Sequence, residues 1–131
     1  MTLAKRTEHA EAVAFMRVVK LHENREPRLR MLLAVPNGGD RHKIVAAKMK
    51  AEGVKPGVPD YLLPVTTTGY SGLAIELKSM TGYASKEQKQ WIADLREQGW
   101  RAEVCRGWEQ AWGVVRDYLS IGGTSDVRKV T

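Results

Sequence analysis

Between residues 5 and 22, apolar side chains recur at three- and four-residue steps: Ala12, Phe15 and Val19, with Met16 and Val18 beside them. That period predicts an amphipathic helix, and Thr7 is placed to cap its start. Glu8 and Glu11 fall on or beside the apolar face, so one of them is expected to look inward. Residues 24–30 read as a polar connection containing a proline. Met31-Leu32-Leu33-Ala34-Val35 is an unbroken apolar run, the pattern of a strand covered on both faces. It ends at Pro36-Asn37-Gly38-Gly39, and a second helix is expected from Arg41 to Glu52, closed by Gly53.

A loop rich in Pro and Gly then delivers Asp60 to the start of a second strand, residues 60–65, which Pro64 brings to an end. Residues 66–71 form a hairpin loop, and Gly72-Leu73-Ala74-Ile75-Glu76-Leu77-Lys78 reads as the third strand. Ser85-Lys86-Glu87-Gln88 has the form of a capping box. It opens a helix that reaches Gln98, with Trp91, Ile92 and Leu95 on its inner face and Gly99 closing it. Residues 101–105 are a short strand and residues 108–119 a last amphipathic helix. From Ser120 the chain is polar and rich in Gly, a pattern predicting a loosely held tail. The expected order is therefore αβαββαβα: an α/β fold with a small mixed sheet flanked by helices, in one domain over residues 1–119 and a tail over 120–131. The hairpin strands must be antiparallel, and the strands joined through a helix are expected to be parallel.

The chemistry lies in the third strand. Alternation sends Ile75 and Leu77 into a core and puts Glu76 and Lys78 together on the opposite face. A carboxylate and an ammonium on one strand face can be a plain ion pair, worth little. If the second and third strands pair as a hairpin, however, Asp60 comes to lie beside Glu76. Two carboxylates supply hard oxygen ligands suited to Mg²⁺ or Mn²⁺. Lys78 could stabilise an attacking hydroxide or the charge growing on a phosphate. A third acid from the first helix, Glu8 in preference to Glu11, could complete the site directly or through water. Gln88 shares a helix face with Trp91 and Leu95, so it either orients the attacking water or braces Lys78, or merely bonds back to the helix start. Asp60 could equally cap a turn after Pro59. A bare E-x-K arises by chance in roughly every other chain of this size; the combination with Pro59-Asp60 and the element order is what singles this one out.

The 131-residue chain carries a net charge of +6, compatible with a polyanionic partner. Its single cysteine, Cys105, excludes an intrachain disulfide and a cysteine-based zinc cluster. The longest apolar run is too short to span a bilayer, and the first residues lack the apolar core of a signal peptide. A cytoplasmic protein with no membrane partner is the expectation. His9, His22 and His42 have no ligand spacing and read as surface residues. Trp91, Trp100, Trp108 and Trp112 read as core or interface residues.

In this order and with these motifs the chain resembles the VRR-NUC family of the PD-(D/E)xK nuclease superfamily. The matching residues are Pro36-Asn37-Gly38-Gly39 with Arg41, Gly53, Gly57-Val58-Pro59-Asp60, Glu76-Leu77-Lys78, Ser85, Gln88, Gly99-Trp100 and the last helix to Tyr118-Leu119. The resemblance spans residues 7–119. It implies a restriction-endonuclease-like core and metal-dependent hydrolysis of DNA phosphodiesters, with Asp60, Glu76 and Lys78 at the centre and the Leu77 carbonyl as a further ligand of Mg²⁺ or Mn²⁺. Asn37, Gly38, Gly39, Arg41, His42 and Lys43 become candidate DNA contacts. The stand-alone phage and bacterial members it resembles look like junction-resolving nucleases, so a homodimer preferring branched DNA such as four-way junctions is expected. Trp108 and Trp112, four residues apart, offer a stripe for the dimer contact. The competing class is a non-catalytic nucleic-acid-binding or assembly module that keeps the fold; it has no need of the Asp60, Glu76 and Lys78 set.

Overall fold

The strand Leu73–Lys78 is buried at every residue and holds the sheet together. The structure, a computed structural model, describes residues 6–36 and 43–121. In chain order the elements are α1 (Glu8–His22), a 3₁₀ helix (Pro27–Met31), β1 (Leu33–Ala34), α2 (Lys43–Ala51), β2 (Tyr61–Leu63), β3 (Leu73–Lys78), α3 (Lys86–Glu97), β4 (Arg101–Arg106) and α4 (Trp108–Leu119). The strands lie side by side in the order β1-β2-β3-β4. The first two pairings are antiparallel and β3 runs parallel to β4.

Alternation divides the sheet into two unlike faces. Tyr61, Leu63, Leu73, Ile75, Leu77 and Cys105 face α1 and α4 and form the main core with Phe15, Val19, Trp112, Val115 and Leu119. Phe15 meets Tyr61 edge to face at 5.0 Å, a favourable aromatic geometry. Burial pushes the Cys105 thiol up to about 12, so it stays protonated and behaves as a small apolar side chain. The other face is thinner: Ala74 and Ala102 pack against Ile92, Leu95 and Trp100. Small residues there let α3 come close, and beyond them on the same face stand Glu76 and Lys78.

The structure changes the reading of residues 27–35, of Trp108 and Trp112, and of His22. The apolar run at residues 31–35 is a two-residue strand at the sheet edge, and Leu33 and Ala34 are both exposed rather than covered on both faces. Pro27 sits in the first turn of a 3₁₀ helix that takes Met31, and Glu26 caps it by accepting from the Arg28 N–H at 3.2 Å. Pro presets the helical φ at such a position, so residues 27–31 are ordered structure where a polar connection is expected. Next, Trp112 is buried in the core and its ring lies 4.6 Å from that of His22. The Trp108 and Trp112 stripe is thus turned inward, with Trp108 partly buried against the same cluster, and His22 is half-buried rather than a surface residue. The turn expected at Asn37, Gly38 and Gly39, with Arg41 and His42, and the part of the expected tail from residue 122 onward lie outside the described residues. No helix among the described residues is long and apolar enough to cross a membrane.

Glu11, not Glu8, is the inward-looking glutamate. It is buried, and its Oε1 accepts the Trp108 N–H at 2.9 Å, capping α4 from a distant part of the chain. The cap position itself is Gly107, which has φ +87° and no side chain to offer. A carboxylate there also complements the positive helix end. Glu11→Ala is expected to destabilise the fold by about 1–2 kcal/mol. Glu11→Gln, which keeps the acceptor, should lose less. Denaturant melts of the two variants check this; equal midpoints for wild type and Glu11→Ala would remove the capping role.

Candidate active site

The β2–β3 register pairs Tyr61 with Ile75 and Leu62 with Ala74. Continued by one residue, it sets Asp60 across from Glu76 on the α3 face. The Asp60 carbonyl still accepts the Val35 N–H at 2.7 Å, so its backbone belongs to the sheet. Its carboxylate Oδ2 accepts the Leu77 N–H at 2.7 Å, which pins it against β3. This bond spans 17 residues, so Asp60 does more than cap a local turn. The loop ahead of it is held down from α3. The Trp91 indole N–H donates to the Pro56 carbonyl at 3.1 Å. Gly57 has φ +82°, and a Cβ there would stand 2.7 Å from the backbone of Glu87, so only glycine fits.

Glu76 is 1% exposed. Its Oε2 takes two partners, the Gln88 amide at 3.0 Å and the Lys78 ammonium at 3.3 Å. Its Oε1 is buried and no donor reaches it. Burial, then the charge of Asp60 and the hydrogen bond that a protonated Glu76 can give Asp60, push the Glu76 carboxyl up to about 8; Lys78 offsets this only in part. Ionising such a group beside Asp60 is costly without a counter-charge.

Gln88 settles the choice between cap and site by doing both. Its Oε1 accepts the Ser85 N–H at 2.7 Å and closes the capping box, while its Nε2 donates to Glu76. An amide carries its acceptor and donors on different atoms, so one side chain serves both ends. Gln88 therefore braces Glu76 rather than Lys78. Glu8 lies at the rim with its carboxylate 3.9 Å from Lys78 Nζ. It does not join Asp60 and Glu76 in a closed cluster: among the described residues no three acids, histidines or cysteines converge closely enough to hold a metal ion by themselves.

Asp60, Glu76, Gln88 and Glu8 line one cavity of about 500 Å³. Its far wall is α2 and the loop after it, through Met49, Lys50, Val54 and Lys55. Leu77 lines an adjoining hollow with Glu8 and Asp60. Lys43 opens α2 and is exposed, outside the cavity lining. Lys50 and Lys55 are the residues the sequence reading passes over. The signal for Lys50 is the basic last turn of a helix that buries none of its described residues; Lys55 follows four residues after that helix ends.

The residues present fit a divalent cation. Two carboxylates face each other, one oxygen of the buried one has no partner, and water can reach the open cavity to complete a six-oxygen set. A mixed sheet carrying Asp at one strand start and E-x-K on the neighbouring strand is the core arrangement of the PD-(D/E)xK nucleases. The VRR-NUC domain model matches residues 3–109. A solved structure described as a VRR_NUC domain protein superposes with a TM-score of 0.72 at 29% identity, over 91% of this chain and 93% of that one. No curated protein matches the sequence. The chain belongs to the VRR-NUC family, and its fold is the α/β nuclease fold of that family.

Proposed function

We propose that this protein is a metal-dependent DNA endonuclease acting on branched DNA. The observation that carries the reading is Glu76: a buried carboxylate that lines an open cavity beside Asp60, with one oxygen that no donor reaches and the buried Lys78 at 3.3 Å from the other. Burying that group at such cost is hard to account for as packing alone. Asp60 and Glu76 would hold Mg²⁺ or Mn²⁺, with the Leu77 carbonyl and water as further ligands. A bound divalent cation lowers the pKa of water and neutralises charge on the phosphate. Lys78 supplies a positive charge for the attacking hydroxide or for the phosphate oxygens. Gln88 holds Oε2 of Glu76 and leaves Oε1 for the cation. Glu8 acts through Lys78 or through water. Lys50 at the end of α2 and Lys55 in the loop after it line the cavity and can pair with phosphates, which makes binding fall steeply with salt.

Preference for four-way junctions, and the homodimer that goes with it, rest on the resemblance to junction-resolving members of the family. Paired cuts across a junction need two sites, and a two-fold dimer supplies two copies of this one. The inward-turned Trp108 and Trp112 do not support that dimer. The test is cleavage of labelled duplex, single-stranded, flap and four-way junction DNA, with the protein's mass in solution measured alongside. Paired, symmetric incisions on the junction by a dimer are expected. A monomer cutting plain duplex and junction equally would reduce the protein to a general nuclease.

A further inference from the structure

The connection from β3 to α3, residues 79–84, lines none of the cavity at the carboxylates, yet it carries a largely exposed aromatic ring. Tyr83 is 80% exposed and Met80 is 62% exposed. Tyr83 nevertheless has a partner. The Arg106 guanidinium lies over its ring, 5.0 Å from the centroid. The same guanidinium donates through Nε to the Gly82 carbonyl at 2.9 Å, so it clamps the loop and the ring together. Arg106 is anchored in turn: it is the β4 register partner of Lys78, and its backbone N–H donates to Gln110 Oε1 at 2.7 Å. The loop folds back onto Lys78. A Cβ on Gly82 would stand 3.4 Å from the Lys78 Cβ, and the Gly107 N–H donates to the Lys78 carbonyl at 2.9 Å. Contacts therefore link the ring, the guanidinium and the end of the E-x-K strand. With one face of the ring backed by a cation, its exposure leaves the other face open.

We infer that Tyr83, backed by Arg106, is a stacking platform for an unpaired nucleobase of the DNA strand whose backbone lies at Lys78. The inference rests on the nuclease reading and adds to it a residue that selects DNA structure. Every base has a π-face, so an aromatic platform takes any unpaired base regardless of sequence. In a duplex those faces are already stacked on their neighbours, and using them costs unstacking energy. A platform beside the cleavage centre therefore favours strands with unpaired nucleotides, such as flaps and branch points. The cation behind the ring adds attraction for the phosphate next to the base. Tyr83 touches neither of the two carboxylates, so its removal leaves the metal site whole.

The test uses the full chain in Ca²⁺ and compares wild type, Tyr83→Ala and Tyr83→Trp. Each is titrated onto a flap carrying 2-aminopurine at successive unpaired positions, and onto a blunt duplex of equal length. Wild type and Tyr83→Trp are expected to quench 2-aminopurine at one position. Tyr83→Ala should lose the quenching and bind the flap about tenfold more weakly, in line with the loss of one base stack, while the duplex affinity stays within about twofold. Wild-type quenching and affinity in Tyr83→Ala would overturn the platform and leave the nuclease reading standing. Equal weakening on flap and duplex would also overturn it, since that is loss of a general backbone contact. A wild type that binds neither DNA would instead overturn the nuclease reading beneath it.

Discussion

Asp60→Ala, Glu76→Ala and Lys78→Ala are each expected to lower DNA cleavage by several orders of magnitude while leaving the fold and most DNA binding in place. The three losses have different physical sources. Removing Asp60 or Glu76 takes away one of the two facing carboxylates proposed to hold the cation, and the proposed activation of water would go with it. Removing Lys78 keeps both carboxylates but deletes the charge 3.3 Å from Glu76 Oε2. The charge developing on the phosphate then has no preorganised partner. Cleavage measured under single-turnover conditions separates these from binding defects. A Lys78→Ala protein that cut at the wild-type rate would remove Lys78 from the chemistry.

The second large effect is on stability and has the opposite sign to the effect on activity. In metal-free protein the folded state holds the Glu76 proton up to about pH 8, whereas an unfolded chain releases it near 4.5. Below about 4.5 both states keep the proton and nothing is lost. Between about 4.5 and 8 the unfolded state gains by ionising, so this group's contribution to stability falls as pH rises through that window. Glu76→Gln cannot ionise, and its amide can accept from Gln88 and donate to Asp60. In EDTA it should be more stable than wild type at pH 8, by an amount on the order of a few kcal/mol at roughly 1.4 kcal/mol per pKa unit. The gap should shrink toward pH 4.5, and Mg²⁺ or Mn²⁺ should narrow it by stabilising wild type. Calorimetric melts at several pH values measure it. A Glu76→Gln protein less stable than wild type throughout would mean that Glu76 is not a strained, charge-frustrated group.

The site was legible in the sequence where strand geometry alone decides. Period-two alternation puts Glu76 and Lys78 on one face. A hairpin between two short apolar runs leaves little freedom for where Asp60 falls. The capping box at Ser85 likewise places Gln88 on the first turn facing the sheet. What the sequence did not reveal depends on contacts between distant segments. Glu11 and Glu8 are equivalent on a helical pattern, and only the docking of α4, 97 residues away, sends one to a helix end and the other to the site rim. The 31–35 run has the composition of a central strand, but its place at the sheet edge and the Pro27 turn leave it two paired residues. Trp108 and Trp112 make the same stripe whether it faces a partner or the core. The Tyr83 and Arg106 pair joins a loop to a strand with no short-range spacing to announce it.

The central claim is that Asp60, Glu76 and Lys78 form a divalent-cation centre for phosphodiester hydrolysis. Its most direct test is the cleavage rate of a junction substrate by purified wild-type protein, first in EDTA and then across a titration of Mg²⁺ or Mn²⁺. The account predicts no cleavage in EDTA and a saturable rise with either cation. Undiminished cleavage in EDTA, at a rate unchanged by added cation, would contradict it.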